Sequence, residues 1–148
     1  MRLISMSLVA ALLSPIAAHA ADNPWNGSWK LDPARSSPGG GGAPGYRFLL
    51  GPDNSIRWEI PELGEVVTGH VDGRPMQIHR TKPTPGLTLS VSPGASDGPP
   101  ILNYAVARNG IQLGGGTMTL IEGGKAWVDV SWGGTHPEDG GELVYIRQ

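Results

Sequence analysis

The sequence lacks cysteine altogether and has little that would support a helical protein. None of its 148 residues is Cys, so it offers no disulfide, no thiolate ligand and no cysteine for a lipid anchor. Its stability must therefore come from burial alone, which a domain of this size can supply. Glycine and proline are abundant instead, with 23 and 14 copies. That excess argues against a helical fold and suits many short strands joined by tight turns.

Long hydrophobic runs are missing beyond the N-terminus. A basic start, an apolar run over residues 3–16 and an Ala-x-Ala site at 18–20 predict a signal peptide of residues 1–20, cleaved after Ala20. The apolar run is too short for a comfortable membrane span, and nothing later predicts a transmembrane segment. We therefore expect one domain over residues 21–148, located in the periplasm or secreted.

The charge balance and the histidines also exclude several classes of partner. Without Arg2 the chain has 11 − 1 = 10 basic residues against 13 acidic ones, a formal charge of −3, which argues against nucleic acid and anionic membranes. His70, His79 and His136 form no His-x-His or His-x-x-x-His pair, whereas zinc needs three or four convergent ligands. We expect no metal, no cofactor and a monomer.

Alternating apolar residues predict strands through most of the mature chain. Ile56, Trp58 and Ile60 give the clearest period of two. Asp72-Gly73 and Asn109-Gly110 are typical of two-residue hairpin turns. The predicted strands span about 25–31, 46–50, 56–60, 65–71, 74–80, 87–91, 102–106, 111–121 (with a bulge or corner at 114–116), 126–132 and 143–147.

These strands predict an all-β fold with no substantial helix. Successive strands joined by short turns pair as neighbours, which favours a single antiparallel up-and-down β-barrel of about 8–10 strands. Three longer loops interrupt the pattern, at residues 36–45, 92–100 and 133–141. Each loop is either a functional element at a barrel mouth or a tolerated insertion.

The two ends of the mature chain carry a recognisable pattern. Gly27 and Trp29 lie in the first strand and Arg147 ends the last one. Closing a barrel places these strands side by side, so we expect Arg147 to stack on Trp29 and latch the termini. This pattern resembles the lipocalin (calycin) signature. Segments 27–36, 72–78 and 144–148 are similar to small exported bacterial lipocalin-like proteins of mostly uncharacterised function, although the glycine run at 39–42 and the Pro/Gly-rich insert before residue 101 depart from them.

The apolar strand faces define a candidate ligand cavity. Their most prominent members are expected to point into the barrel, where they either line a small-molecule pocket or fill a packed core. Trp127 lies on the opposite face of its strand, so we expect it to point outward as an interface anchor or to lie under a loop. The candidate cavity residues are Trp58, Met76, Leu89, Tyr104 and Val130.

Three functions fit this sequence. The first is an exported lipocalin-like barrel that binds a small apolar or amphipathic molecule. The second is a periplasmic protein-interaction module or enzyme inhibitor that uses its loops and has no small-molecule ligand. The third, ranked last, is a barrel enzyme such as a cyclase or isomerase, for which His79, Glu59 and Tyr104 are the groups to test. No catalytic residue is assigned, and the acidic segment at 136–139 is interpreted as a solubilising loop.

Overall fold

In the computed structural model, residues 23–39 and 41–148 are described, and the predicted signal peptide lies outside them. Ten β-strands form one antiparallel sheet. The helical elements of these residues are three-residue 3-10 turns at Pro61–Leu63, Glu122–Gly124 and Pro137–Asp139. The strands are β1 (Gly27–Leu31), β2 (Gly45–Leu50), β3 (Ser55–Ile60), β4 (Glu65–His70), β5 (Met76–Gln77), β6 (Leu87–Pro93), β7 (Ile101–Arg108), β8 (Ile111–Ile121), β9 (Ala126–Gly133) and β10 (Gly141–Arg147).

The strand order is that of an up-and-down barrel that is nearly closed. It runs β4-β3-β2-β1-β10-β9-β8-β7-β6-β5, so β1 pairs with β10. Between β4 and the chain after β5, the described residues form one isolated bridge, in which the N–H groups of Val66 and His79 donate to each other's carbonyls at 2.8 and 2.9 Å. We call this bridge the seam. The predicted all-β, single-barrel fold is thereby confirmed.

The predicted hairpin around Asp72-Gly73 is only partly formed. The turn is present, because Gly73 has φ +80° and the Asp72 side chain accepts a hydrogen bond from the Arg74 N–H at 3.0 Å. The predicted second arm, residues 74–80, is reduced to the two residues of β5 and forms no ladder with β4. Pro75 lies in that arm and has no N–H to donate, which disfavours a regular ladder.

The barrel has two ends that differ in what covers them. The terminal end contains residues 23–26 and the turns at 51–54, 71–75, 94–100 and 122–125. The loop end contains segments 32–39, 41–44, 61–64, 78–86, 109–110 and 134–140. At the terminal end Trp25 is buried and accepts a hydrogen bond on its carbonyl from Trp29 Nε1 at 3.0 Å.

Strand β9 corrects two predictions. Val130 is 39% exposed and faces the outside, so the prediction that it lines the interior is wrong; Trp127 is fully buried, so its predicted outward position is also wrong. The register explains the inversion, because Trp127 lies opposite Leu120 and Tyr145, whose side chains belong to the core. Directly opposite residues share a face of a sheet, so the neighbouring strands set the orientation of β9.

The predicted contact between the two terminal strands is present. The Arg147 guanidinium carbon lies 4.1 Å from the centroid of the Trp29 ring. The same guanidinium donates to the carbonyls of Gly124, Asn26 and Pro24 at 2.8, 2.6 and 2.7 Å. Gly27 leaves room for it, since a Cβ there would lie 2.8 Å from Arg147 Nη1. Arg147 therefore joins β10, the start of β1 and the turn before β9.

Candidate functional site

A buried carboxylate stands out in the barrel interior. Asp129, on β9, is 2% exposed and lies between Met118 of β8 and Leu143 of β10, both apolar core residues. The Tyr104 hydroxyl donates to this carboxylate, with oxygen–oxygen distances of 2.9 and 3.1 Å. None of the ion pairs found among the described residues includes Asp129. Its charge therefore lacks a cationic partner in the described part of the chain.

A connected group of aromatic rings begins beside this carboxylate, at Tyr104. The three tyrosines of the sequence meet here, and the Tyr46 ring lies 5.1 Å from the Tyr145 ring. Trp58 lies 5.4 Å from Tyr46 and 5.8 Å from Tyr104, so it connects them. Trp127 stacks on Tyr145 at 4.2 Å. We call the whole set the aromatic–carboxylate cluster; its members are Tyr46, Trp58, Tyr104, Trp127, Asp129 and Tyr145.

The glycine run of β8 makes this arrangement possible. Gly116 lies opposite Tyr104 on one side and Ser131 on the other. A Cβ at Gly116 would lie 2.5 Å from the Tyr104 ring, so only glycine leaves space for the ring to cross β8 and reach Asp129. The strand is continuous through residues 114–116, and its bulge lies just before them, between the pairs of Val106 and Ala107.

Burial changes the ionisation of the cluster. Desolvation raises the pKa of Asp129 to about 7, opposed by the hydrogen bond from Tyr104. Burial also raises the pKa values of Tyr104, Tyr145 and Tyr46, and the nearby Asp129 charge adds to each shift. The tyrosines therefore remain neutral donors at physiological pH, while Asp129 changes charge near neutrality.

A separate cavity lies at the terminal end of the barrel. Its volume is about 410 Å³. Apolar side chains dominate the walls, and Asn23, Asn54 and Ser96 supply polar groups. The apolar lining consists of Pro24, Trp25, Leu50, Val71, Pro93, Pro100, Ile101 and Leu102.

The five predicted cavity residues do not line this space. Trp58, Met76 and Leu89 are buried in the core, and Tyr104 points inward but remains partly exposed. Trp58 and Tyr104 come together in the aromatic–carboxylate cluster. The predicted role of Trp58, Met76, Leu89 and Tyr104 in ligand binding stays a prediction.

Sequence reasoning missed the carboxylate at the centre of this cluster. Asp129 is the one charged residue of the strand Ala126–Gly133, and an isolated charge in an apolar strand was the available signal. Tyr46 and Tyr145 were also missed as site residues, because each lies in an ordinary apolar strand and their proximity depends on barrel closure.

The other predicted polar candidates do not converge. Glu59 forms ion pairs with Arg47 and Arg57. His79 is exposed at the seam, away from the Tyr104–Asp129 pair. Of the three groups named for the barrel-enzyme alternative, Tyr104 is the one that contacts the buried carboxylate.

One exposed loop group has the spacing of a metal site. His136 lies 3.1 Å from Glu138, and Asp139 lies beside them. All three side chains are exposed, and exposed acidic groups commonly occur without a metal.

Comparison with known proteins identifies no family for this chain. No protein-family model, curated protein or solved structure matches this chain significantly. No helix in residues 23–39 or 41–148 is long and apolar enough to cross a membrane. The chain is an antiparallel, nearly closed up-and-down β-barrel with a buried carboxylate and an end cavity.

Proposed function

We propose that this chain is an exported, lipocalin-like barrel that binds a small apolar or amphipathic molecule. The observation that carries this proposal is the cavity of about 410 Å³ at the terminal end. The predicted signal peptide and the lipocalin-like pattern of Gly27, Trp29 and Arg147 support export and the calycin type of barrel. Up-and-down barrels of this size suit one small ligand in the mouth or interior.

The lining of the cavity fits such a ligand. Small-molecule sites typically measure about 300–1,000 Å³ and combine apolar walls with a few polar groups. Trp25 and Leu102 offer apolar contact, and Asn54 lies at the polar rim. Removing apolar surface from water contributes about 25 cal/mol per Å², so the apolar part of a ligand supplies most of the affinity.

Filling the cavity mouth tests this proposal. Ser96 is exposed and lines the cavity, so the indole of Ser96→Trp should occupy it without disturbing the core. We expect this variant to bind the fluorescent apolar probe N-phenyl-1-naphthylamine about tenfold more weakly than wild type, a loss of about 1.4 kcal/mol. The control is Ala95→Trp, at an exposed neighbour outside the lining, which should bind like wild type.

Native mass spectrometry supplies the complementary test. Protein purified from its own cell envelope should lose a small mass on denaturation, and that mass identifies the ligand class. Equal probe binding by wild type, Ser96→Trp and Ala95→Trp would contradict the proposed site. A clean apo mass together with no probe binding would contradict the proposed function.

A second candidate, a protein-interaction module, is favoured by an apolar outer face on β8 and β9. Leu113 and Val130 are 48% and 39% exposed, and the Trp132 ring lies over Gly115 on the same side. Single exposed apolar residues are ordinary, but adjacent ones on one sheet face are typical of interfaces. A photo-crosslinker at Val130 should then join one specific protein, and Leu113→Asp should abolish that product. Diffuse labelling insensitive to Leu113→Asp would exclude this candidate.

A further inference from the structure

We propose that the aromatic–carboxylate cluster is a binding site for a small organic cation, with a substituted ammonium group as the recognised feature. The site lies in the barrel interior and shares no residue with the lining of the terminal-end cavity. The juxtaposition that carries the inference is a buried carboxylate, Asp129, hydrogen-bonded to Tyr104, whose ring belongs to a connected group of five aromatic rings.

The charge of Asp129 is the first argument. Burying an ionised carboxylate is expensive unless a positive group or several hydrogen bonds compensate. Tyr104 supplies one neutral O–H donor, and no Lys, Arg or His among the described residues forms an ion pair with Asp129. A ligand cation would supply the missing compensation, whereas an anion would be repelled.

The rings are the second argument. Aromatic faces carry negative potential and attract cations placed within about 6 Å of the ring centre. Trp58 connects Tyr46 and Tyr104, and Trp127 stacks on Tyr145, so the five rings form one connected group that reaches Asp129 through Tyr104. Groups of aromatic rings recognise quaternary and methylated ammonium groups, which lose less hydration on burial than a compact primary ammonium.

A buried N–H donor without a hydrogen-bond acceptor also supports a bound ligand. The Trp127 Nε1 group is buried and has no hydrogen-bond acceptor among the described residues. Buried polar groups are nearly always satisfied by protein, water or ligand. A cation that also carries an oxygen acceptor would therefore suit the cluster better than a bare ammonium ion.

Small residues border the cluster toward the loop end. Tyr46, Tyr104 and Ser131 are only partly buried, whereas Asp129 and Tyr145 are buried. Tyr104, Gly116 and Ser131 lie side by side in one row across β7, β8 and β9. The next row toward the loop end consists of Val106, Gly114 and Gly133. A Cβ at Gly133 would meet no atom within 4 Å. The open space at Gly133 leaves room for a small cation on the loop-end side of this row.

Choline and its neutral isostere, 3,3-dimethyl-1-butanol, provide a direct test by isothermal titration calorimetry at constant ionic strength and at pH 8, where the Asp129 carboxyl is ionised. The two probes have nearly the same shape and differ in charge. We expect wild type to bind choline at least about tenfold more tightly than the isostere. Asp129→Asn should remove that preference, while Asp97→Asn, at an exposed carboxylate, should keep it.

The test also separates this proposal from the proposed function. Ser96→Trp should lose the apolar probe and keep the preference for choline, because its indole lies at the terminal end. If Asp129→Asn does not fold by circular dichroism, wild type itself provides the second measurement: its preference for choline should be present at pH 8 and lost at pH 5, where the Asp129 carboxyl is protonated. An equal preference at the two pH values would also overturn the proposal. Equal binding of the two probes, no binding of either, or unchanged choline binding by folded Asp129→Asn would overturn the proposal.

Discussion

At the scale of single residues, Asp129 dominates the chemistry of this barrel. Of the acidic residues that the structure describes, two are buried, and the other one, Glu65, is paired with Arg80 at 2.7 Å. Asp129 has only a tyrosine hydroxyl as its partner among the described residues. The two carboxylates are therefore in opposite situations: Glu65 has a compensating charge, whereas burial without one favours the protonated form of Asp129 and raises its pKa to about 7.

The stability of the protein should therefore depend on the ionisation of Asp129. Its pKa rises from 3.8 to about 7 on folding, so the folded state binds more protons than the unfolded state between these values. Stability contributed by the neutral acid is present below pH 4 and is lost as the pH rises toward 7. Measured by urea unfolding, the stability of wild type relative to Asp129→Asn should fall by about 2–4 kcal/mol between pH 4 and pH 8.

The difference between the two proteins isolates this one group. Asp53 and Glu138 have lowered pKa values, so they shift the stability in the opposite direction, but they are present in both proteins and cancel. Parallel pH profiles of wild type and Asp129→Asn would show that the Asp129 carboxyl has an ordinary pKa in the folded state.

At the scale of strands, the contact between β1 and β10 closes the main part of the sheet. Only three residue pairs join these strands, from Trp29↔Arg147 to Leu31↔Tyr145. Arg147 strengthens this short ladder through its contact with Trp29 and its bonds to three carbonyls. A lysine could supply the charge, but it lacks the planar fork that reaches several acceptors at once.

Removing this side chain should destabilise the barrel measurably. We expect Arg147→Ala to lower the free energy of unfolding by about 1–3 kcal/mol, since Arg147 is exposed and its cation–π contact and hydrogen bonds are partly screened. Arg147→Lys should recover less than half of the loss. The control is Arg74→Ala, at an exposed ion pair with Asp72, which should change stability by about 0.5 kcal/mol or less. Equal effects of Arg147→Ala and Arg74→Ala in urea unfolding would contradict the latch.

The strands also show how far the sequence can be interpreted. In β3, apolar Ile56, Trp58 and Ile60 alternate with polar residues, so both the strand and its buried face were predictable. In β9 both faces contain large apolar residues, Trp127 on one and Val130 on the other, and alternation alone cannot tell which face is inside. That choice depends on register with β8 and β10, a long-range property that a local pattern does not encode.

The candidate site was hidden for the same reason. Tyr46, Tyr104 and Asp129 lie on strands far apart in sequence, and their meeting depends on closure of the whole barrel. The end cavity was also missed, because its lining combines turns and strand ends from both halves of the chain. Turn residues were predicted well, as at Asn109-Gly110, where both φ angles are positive, because their conformation is decided locally.

At the scale of the whole molecule, closure is uneven around the barrel. Strands β7, β8 and β9 pair along most of their lengths, whereas the seam consists of the single bridge between Val66 and His79. A region held by few backbone bonds and near solvent opens at a lower free energy than the core. His79 is exposed, and the neighbouring β5 is only two residues long. The seam is therefore the place where the barrel should open first.

Native-state hydrogen exchange measures this difference directly. The amides of Val66 and His79 should exchange at least about tenfold faster, after correction for intrinsic rates, than those of Met118 and Leu120 in β8. Addition of a ligand at the terminal end should leave the exchange rates of Val66 and His79 unchanged, because the seam lies outside the cavity lining. Equal protection of all four amides would mean that the seam opens only with global unfolding. In that case a ligand would have to enter through a mouth of the closed barrel, since its side would offer no opening.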